Sequence, residues 1–112
     1  MKHIFTGLKG EILARKYLKA QKYKILEKNY KTTFGEIDII ALDNNYIVFV
    51  EVKARTSTKF GRASEAVDKN KQRHIKNVAL GYLKINNLLN SNVRFDVIEV
   101  YDEEINHIKN AF

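Results

Sequence analysis

The sequence predicts an α/β (or α+β) domain in which helices cover a β-sheet, and three observations carry that reading. The order of elements is helix, three strands, helix, strand, a layout that needs helices to cover the sheet's faces. Two β-rich runs, Gly35 to Leu42 and Tyr46 to Lys53, flank Asn44-Asn45 and read as a hairpin. The two helical stretches carry apolar residues at spacings of three and four, so each has one face to bury. A chain of 112 residues builds one hydrophobic core, and residues 1–112 are read as a single domain.

Taken in order, Thr6 is placed to cap a first helix that runs to about Lys22, with Leu8, Ile12, Arg15 and Leu18 on one face. Tyr23 to Tyr30 follows as a short strand. The hairpin comes next, since asparagine tolerates the left-handed backbone that a two-residue turn requires. Ala54 to Arg62 reads as a polar, basic loop. A second helix is expected from about Ser64 to Asn86, with Ile75, Val78, Ala79, Tyr82 and Leu83 as its apolar stripe. Val93 to Tyr101 is a further strand. Ile105 to Phe112 has apolar residues without a period and carries no assignment.

Composition narrows the function. There is no cysteine, which excludes disulfides and thiolate metal sites. Proline is absent and the five glycines are scattered, so no linker is marked. Neither a signal peptide nor an apolar run of membrane-spanning length is visible, and the expected location is the cytoplasm, away from membranes. The net charge is +7. Much of it is concentrated between Lys53 and Lys76, where eight basic residues (Lys53, Arg55, Lys59, Arg62, Lys69, Lys71, Arg73, Lys76) stand against Glu65 and Asp68. Clustered positive charge suits a polyanion, because each phosphate contact releases counterions. Nucleic acid is therefore the expected partner, with a soluble basic surface that binds no partner as the plainer alternative. No RNA-recognition motif or base-stacking aromatic cluster is visible, which ranks DNA above RNA.

The hairpin carries the chemistry. If Asn44-Asn45 form the turn, Asp43 pairs with Tyr46, Asp38 falls opposite Glu51, and Glu36 falls opposite Lys53. Side chains alternate along a strand, so Glu36, Asp38, Glu51 and Lys53 share one face. Opposed residues lie roughly 4.5–5.5 Å apart at Cβ, where like charges repel. Two such carboxylates share a proton, take a cation between them, or sit in water beside Lys53. Oxygen ligands of this kind suit Mg²⁺ or Mn²⁺. The plainer alternative is a solvated surface ladder in which Lys53 offsets Glu36 and Glu51. The apolar neighbours Ile37, Ile39, Ile40, Val48, Phe49, Val50 and Val52 weigh against it. Glu11 adds a third carboxylate on the sheet side of the first helix, with pairing to Arg15 as its alternative role. His3, His74 and His107 are not at ligand spacing and read as surface or packed histidines.

Gly35-Glu36-Ile37-Asp38 followed by Phe49-Val50-Glu51-Val52-Lys53 resembles the D…ExK core of the PD-(D/E)XK, or restriction-endonuclease-like, nucleases. The likeness is closer still to the YraN family of small bacterial proteins. It extends to Gly10-Glu11, Phe60-Gly61, Glu65-Ala66-Val67, Lys71, Arg94-Phe95-Asp96-Val97 and Asn110-Ala111-Phe112. The resemblance implies a restriction-endonuclease-like αβββαβ core with a mixed central sheet. It implies metal ligation by Asp38, Glu51 and the Val52 carbonyl, and catalytic assistance by Lys53. Glu11 would match the helix glutamate of archaeal Holliday-junction resolvases, which are similar in size and dimeric, so a homodimer is implied too. Lys71 or Gln72 would contribute further, as in some relatives. Where the superfamily pattern has proline before the aspartate, Ile37 stands here.

Two functions follow as expectations. One is a Mg²⁺- or Mn²⁺-dependent endonuclease hydrolysing phosphodiester bonds in DNA, with branched or structured DNA as substrate, Glu11, Asp38, Glu51 and Lys53 at its centre, and Arg55, Lys59, Arg62, Lys69, Lys71, Arg73 and Lys76 on the backbone. The other is a catalytically silent nucleic-acid-binding accessory protein that keeps the fold.

Overall fold

A computed structural model describes residues 2–55 and 67–112, with side chains from residue 8 onward. Lys59 and Arg62, the proposed helix start at Ser64, and the Glu65-Ala66 stretch lie outside the described residues. The elements are α1 (Lys2–Ala20), β1 (Lys24–Thr32), β2 (Gly35–Asp43), β3 (Tyr46–Arg55), α2 (Lys69–Ile85), β4 (Asn92–Tyr101) and β5 (Glu104–Ile108). The five strands lie in sequence order in one sheet. β3 and β4 are parallel, while the other neighbours are antiparallel, so the sheet is mixed as expected. A parallel pair cannot be closed by a tight turn, and α2 lies on the connection.

The hairpin forms in the expected register. Asp43 pairs with Tyr46, and the ladder runs back through Ala41–Val48 to Ile39–Val50. Asn44 takes the left-handed conformation at φ 54° that the turn demands. Beyond Ile39–Val50 the two strands separate, β2 continuing along β1 and β3 along β4. Glu36 and Lys53 therefore do not form a ladder pair. Glu36 is exposed and meets Lys31 at 4.0 Å.

Among the described residues, each face of the sheet carries one helix. On one side Ala14 and Leu18 of α1 pack on Ile39, Val48, Val50, Ile98 and Val100. On the other, Ile75, Val78, Ala79, Tyr82 and Leu83 of α2 pack on Ile40, Phe49 and Val97, and these five are the stripe read from the sequence. The α1 face corrects the sequence reading. Leu18 is buried, but Leu8 is 58% and Ile12 38% exposed. The contact is built instead on Gly10, Ala14 and Leu18, one helical turn apart. A Cβ on Gly10 would lie 3.2 Å from the Ala54 Cβ, so the missing side chain is what lets the helix approach the sheet closely.

Two boundaries also change. Thr6 lies inside α1, which begins at Lys2. The described part of α2 begins at Lys69, because the Asp68 carboxylate caps it by accepting the Lys71 N–H at 2.8 Å. The unassigned tail forms β5, and Ala111 N–H then donates to the Phe95 carbonyl at 2.7 Å. Phe112 stacks on Phe95, which stacks on Phe49.

Candidate functional site

The opening between β2 and β3 is where the charged residues of the hairpin collect. Asp38 is the first residue of β2 beyond the ladder, and its Oδ2 accepts the Val52 N–H at 2.8 Å. In a continued ladder that N–H would reach a backbone carbonyl of β2; the carboxylate takes its place. The side chain thus turns into the gap, and the strand's alternation breaks there, with Ile37 packing in the same layer as Ile40. The N–H and C=O of one strand residue point the same way, so the Val52 carbonyl lies on the edge that faces this opening.

Glu51 lies beside Asp38 with its side chain 6% exposed. Burial first, then hydrogen bonding to and repulsion from Asp38, push its carboxyl up to about 8, against the opposing charges of Lys71 and Lys53. Lys53 Nζ lies 3.9 Å from Glu51 Oε2, and Lys71 Nζ of α2 lies 3.4 Å from the same oxygen. Glu11, half-buried on α1, is raised above the usual carboxylate range by burial and then by the Asp38 charge, with Arg15 acting against this. Asp38, Glu51, Lys53 and Lys71 are therefore brought together, and Glu11 stands within their field. Among the described residues no three Asp, Glu, His or Cys side chains converge as a ready ligand set. Asp38 and Glu51 form a pair rather than a cage.

The other basic residues divide. Lys69 and Arg73 are exposed on α2, where with Gln72, Lys76 and Asn77 they line a shallow depression. Lys76 lies over the Phe95 and Phe112 rings at 5.6 and 5.8 Å. Arg55 is committed elsewhere: its Nε and Nη2 donate to Glu99 Oε2 at 3.0 and 2.9 Å.

Two polar clusters escaped the sequence reading. Glu99 is fully buried and also accepts from Asn106 Nδ2 at 3.0 Å. Asp96, equally buried, accepts from Arg94 Nε and Nη2 at 2.9 and 3.0 Å and from the Asn110 N–H at 3.0 Å. His107 Nε2 lies 2.7 Å from Asp96, and its Nδ1 lies 3.0 Å from the Tyr17 hydroxyl, so this histidine is a packed one. Arg94 also donates to Asp43 and to the Tyr23 hydroxyl. The sequence signals were charge within apolar strands, which also marked Asp38 and Glu51, and the Arg94-Phe95-Asp96-Val97 and Asn110-Ala111-Phe112 motifs, which carry the resemblance but give no role to these side chains.

Fold and site together define a small mixed α+β domain with a buried carboxylate pair flanked by lysines. The chain belongs to the uncharacterised protein family UPF0102, whose model matches residues 10–100. It is 52% identical over 114 residues to the UPF0102 protein TTE1452 of Caldanaerobacter subterraneus subsp. tengcongensis, covering 96% of this chain and 93% of that one. It is 51% identical over 114 residues to the UPF0102 protein THEYE_A1950 of Thermodesulfovibrio yellowstonii, covering 100% and 99%. A Clostridioides difficile relative, CD630_12710, is 52% identical over 105 residues, covering 92% of each chain. These names state no activity. Among the described residues, no helix is long and apolar enough to cross a membrane.

Proposed function

We propose that this protein is a Mg²⁺- or Mn²⁺-dependent endonuclease that hydrolyses phosphodiester bonds in DNA, with branched or otherwise structured DNA as its substrate class. The observation that carries the reading is the pairing of Asp38 with the buried Glu51 at the mouth of the hairpin, with two lysines on the same carboxylate. Two carboxylates withdrawn from water call for positive charge, and Mg²⁺ commonly binds through one or two carboxylates while keeping its waters. The donor set fits such an ion: Asp38, Glu51 and the Val52 carbonyl would hold it. The chemistry such an ion would supply when bound is a more acidic water and an offset to the charge on the phosphodiester. Lys53 contributes a cation against the negative charge that builds on phosphorus oxygens. Glu11 adds negative potential at the same opening. Lys69, Arg73 and the partly exposed Lys71 hold the sugar-phosphate backbone through their charge.

The second reading, a nucleic-acid-binding accessory protein without turnover, has one observation in its favour: only two carboxylates converge among the described residues. A cleavage panel separates the two. Linear duplex, single-stranded, flap and four-way-junction DNA are incubated with Mg²⁺ or Mn²⁺ beside Asp38→Ala and Glu51→Ala variants. The endonuclease reading expects wild-type cleavage that each variant lowers by about a hundredfold or more, with DNA binding kept. Unabated cleavage by the variants overturns it, and metal-independent binding without cleavage favours the accessory protein.

A further inference from the structure

Lys71 differs from the other basic residues of α2 in where its charge goes. The amino end of a helix carries partial positive charge and favours acidic residues in the first turn. The first turn of α2 has none and holds Lys69 and Lys71 instead. A local preference broken in this way points to a partner elsewhere in the fold. For Lys71 that partner is Glu51, 3.4 Å away and closer than Lys53 at 3.9 Å. The backbone beneath it is fixed. Asp68 accepts the Lys71 N–H at 2.8 Å, and the Gln72 side chain donates to the Val67 carbonyl at 3.0 Å. The side chain itself is 42% exposed, so its ammonium has solvent to move into when it leaves Glu51. With Lys53 and Lys71 both against Glu51, part of the positive charge that a cation would bring to the pair is already in place, and all of it lies on that one carboxylate.

We infer that Lys71 is a built-in competitor for the metal: its ammonium occupies Glu51 and must be displaced when a divalent cation binds, so that α2 sets the metal affinity of the hairpin. This rests on the metal-dependent reading proposed above. It differs from a general effect of net charge, since it assigns the competition to one side chain.

The test is a calorimetric titration of Mn²⁺ into chelator-treated wild type, Lys71→Met, Lys71→Gln, Lys71→Arg and Lys84→Met, each checked for folding by thermal unfolding. Lys84 lies in the last turn of α2 and loses the same charge far from the site. Lys71→Met and Lys71→Gln are expected to bind Mn²⁺ roughly three- to tenfold more tightly than wild type, with Lys71→Arg and Lys84→Met unchanged. Unchanged or weaker binding by both neutral variants overturns the inference, as does an equal gain in Lys84→Met. If wild type binds and Glu51→Gln does not, the metal site survives that failure. If neither wild type nor the Lys71 variants bind Mn²⁺, the metal-dependent reading and the inference fall together.

Discussion

Asp96 and Glu51 lie on neighbouring parallel strands, one residue apart in register, since Val50 aligns with Asp96 and Glu51 with Val97. Both carboxylates are withdrawn from water, Asp96 on the α1 face and Glu51 on the α2 face. Their chemistry is opposite. Asp96 is held below the usual carboxylate range, although burial pushes it up, because His107, Arg94 and the Asn110 N–H all aim at its oxygens. Glu51 is pushed up to about 8, because its neighbours are another carboxylate and two lysines at 3.4 and 3.9 Å. Burial is common to the two. What differs is whether directed donors reach each oxygen. The first cluster ties α1, the hairpin turn, β4 and the tail together; the second leaves a charge arrangement that a cation would complete.

The comparison is broken most severely by Asp96→Ala. It leaves the Arg94 guanidinium, 13% exposed, facing the vacated site. The expected loss is about 3–5 kcal/mol of unfolding free energy, measured by denaturant titration. A loss under about 1 kcal/mol would show that Asp43 and Tyr23 alone satisfy Arg94.

The two clusters also predict opposite slopes of stability with pH. The Glu51 carboxyl rises from 4.5 to about 8 on folding, so between those values the folded state binds a proton that the unfolded chain has released. Its contribution is present below pH 4.5 and is lost as pH rises through 8. Asp96 is lowered from 3.8, so its contribution is present above that value and is lost on further acidification. In chelator-treated protein, Glu51→Gln is expected to flatten the decline in stability towards pH 8, an effect on the order of a few kcal/mol. Thermal and denaturant unfolding between pH 5 and 9 measures it. An unchanged slope in the variant would assign the decline to another group.

The smallest expected effect is at Lys31. Its pairing with Glu36 spans 4.0 Å between side chains 74% and 47% exposed. Lys31→Ala should stay within about 0.5 kcal/mol of wild type in the same unfolding assay. A larger loss would make the exposed end of the hairpin part of the site's electrostatics, through the Lys31 and Glu36 charges that act on Glu11.

The sheet and much of the site were legible because the signals were local. A two-residue asparagine turn sets the hairpin register, which carries Asp38 to the neighbourhood of Glu51; the expected ladder pair does not form, and the Asp38 carboxylate reaches the site by turning into the gap onto the Val52 N–H. The stripe from Ile75 to Leu83 is a 3.6-residue period and needs no knowledge of its partner. The α1 face was misread for a physical reason. Periodicity favoured Leu8 and Ile12 as large apolar residues, while the fold selected the smaller Gly10 and Ala14 to bring the helix against Ala54. The register also suggested Glu36 opposite Lys53, but β2 and β3 part after Ile39–Val50.

The sequence by itself thus determined the order of elements, the hairpin and the neighbourhood of its two carboxylates, all consequences of short-range backbone geometry. Tertiary structure alone decided that β3 lies parallel to β4 and that the tail closes the sheet as β5. It alone brought Arg94, Asn110 and His107 to Asp96, and it set the Lys71 ammonium on Glu51, where the family resemblance had implied a contribution from Lys71 or Gln72 without naming a partner. Those contacts join residues far apart in the chain, and no period or motif encodes which distant cation reaches which buried carboxylate.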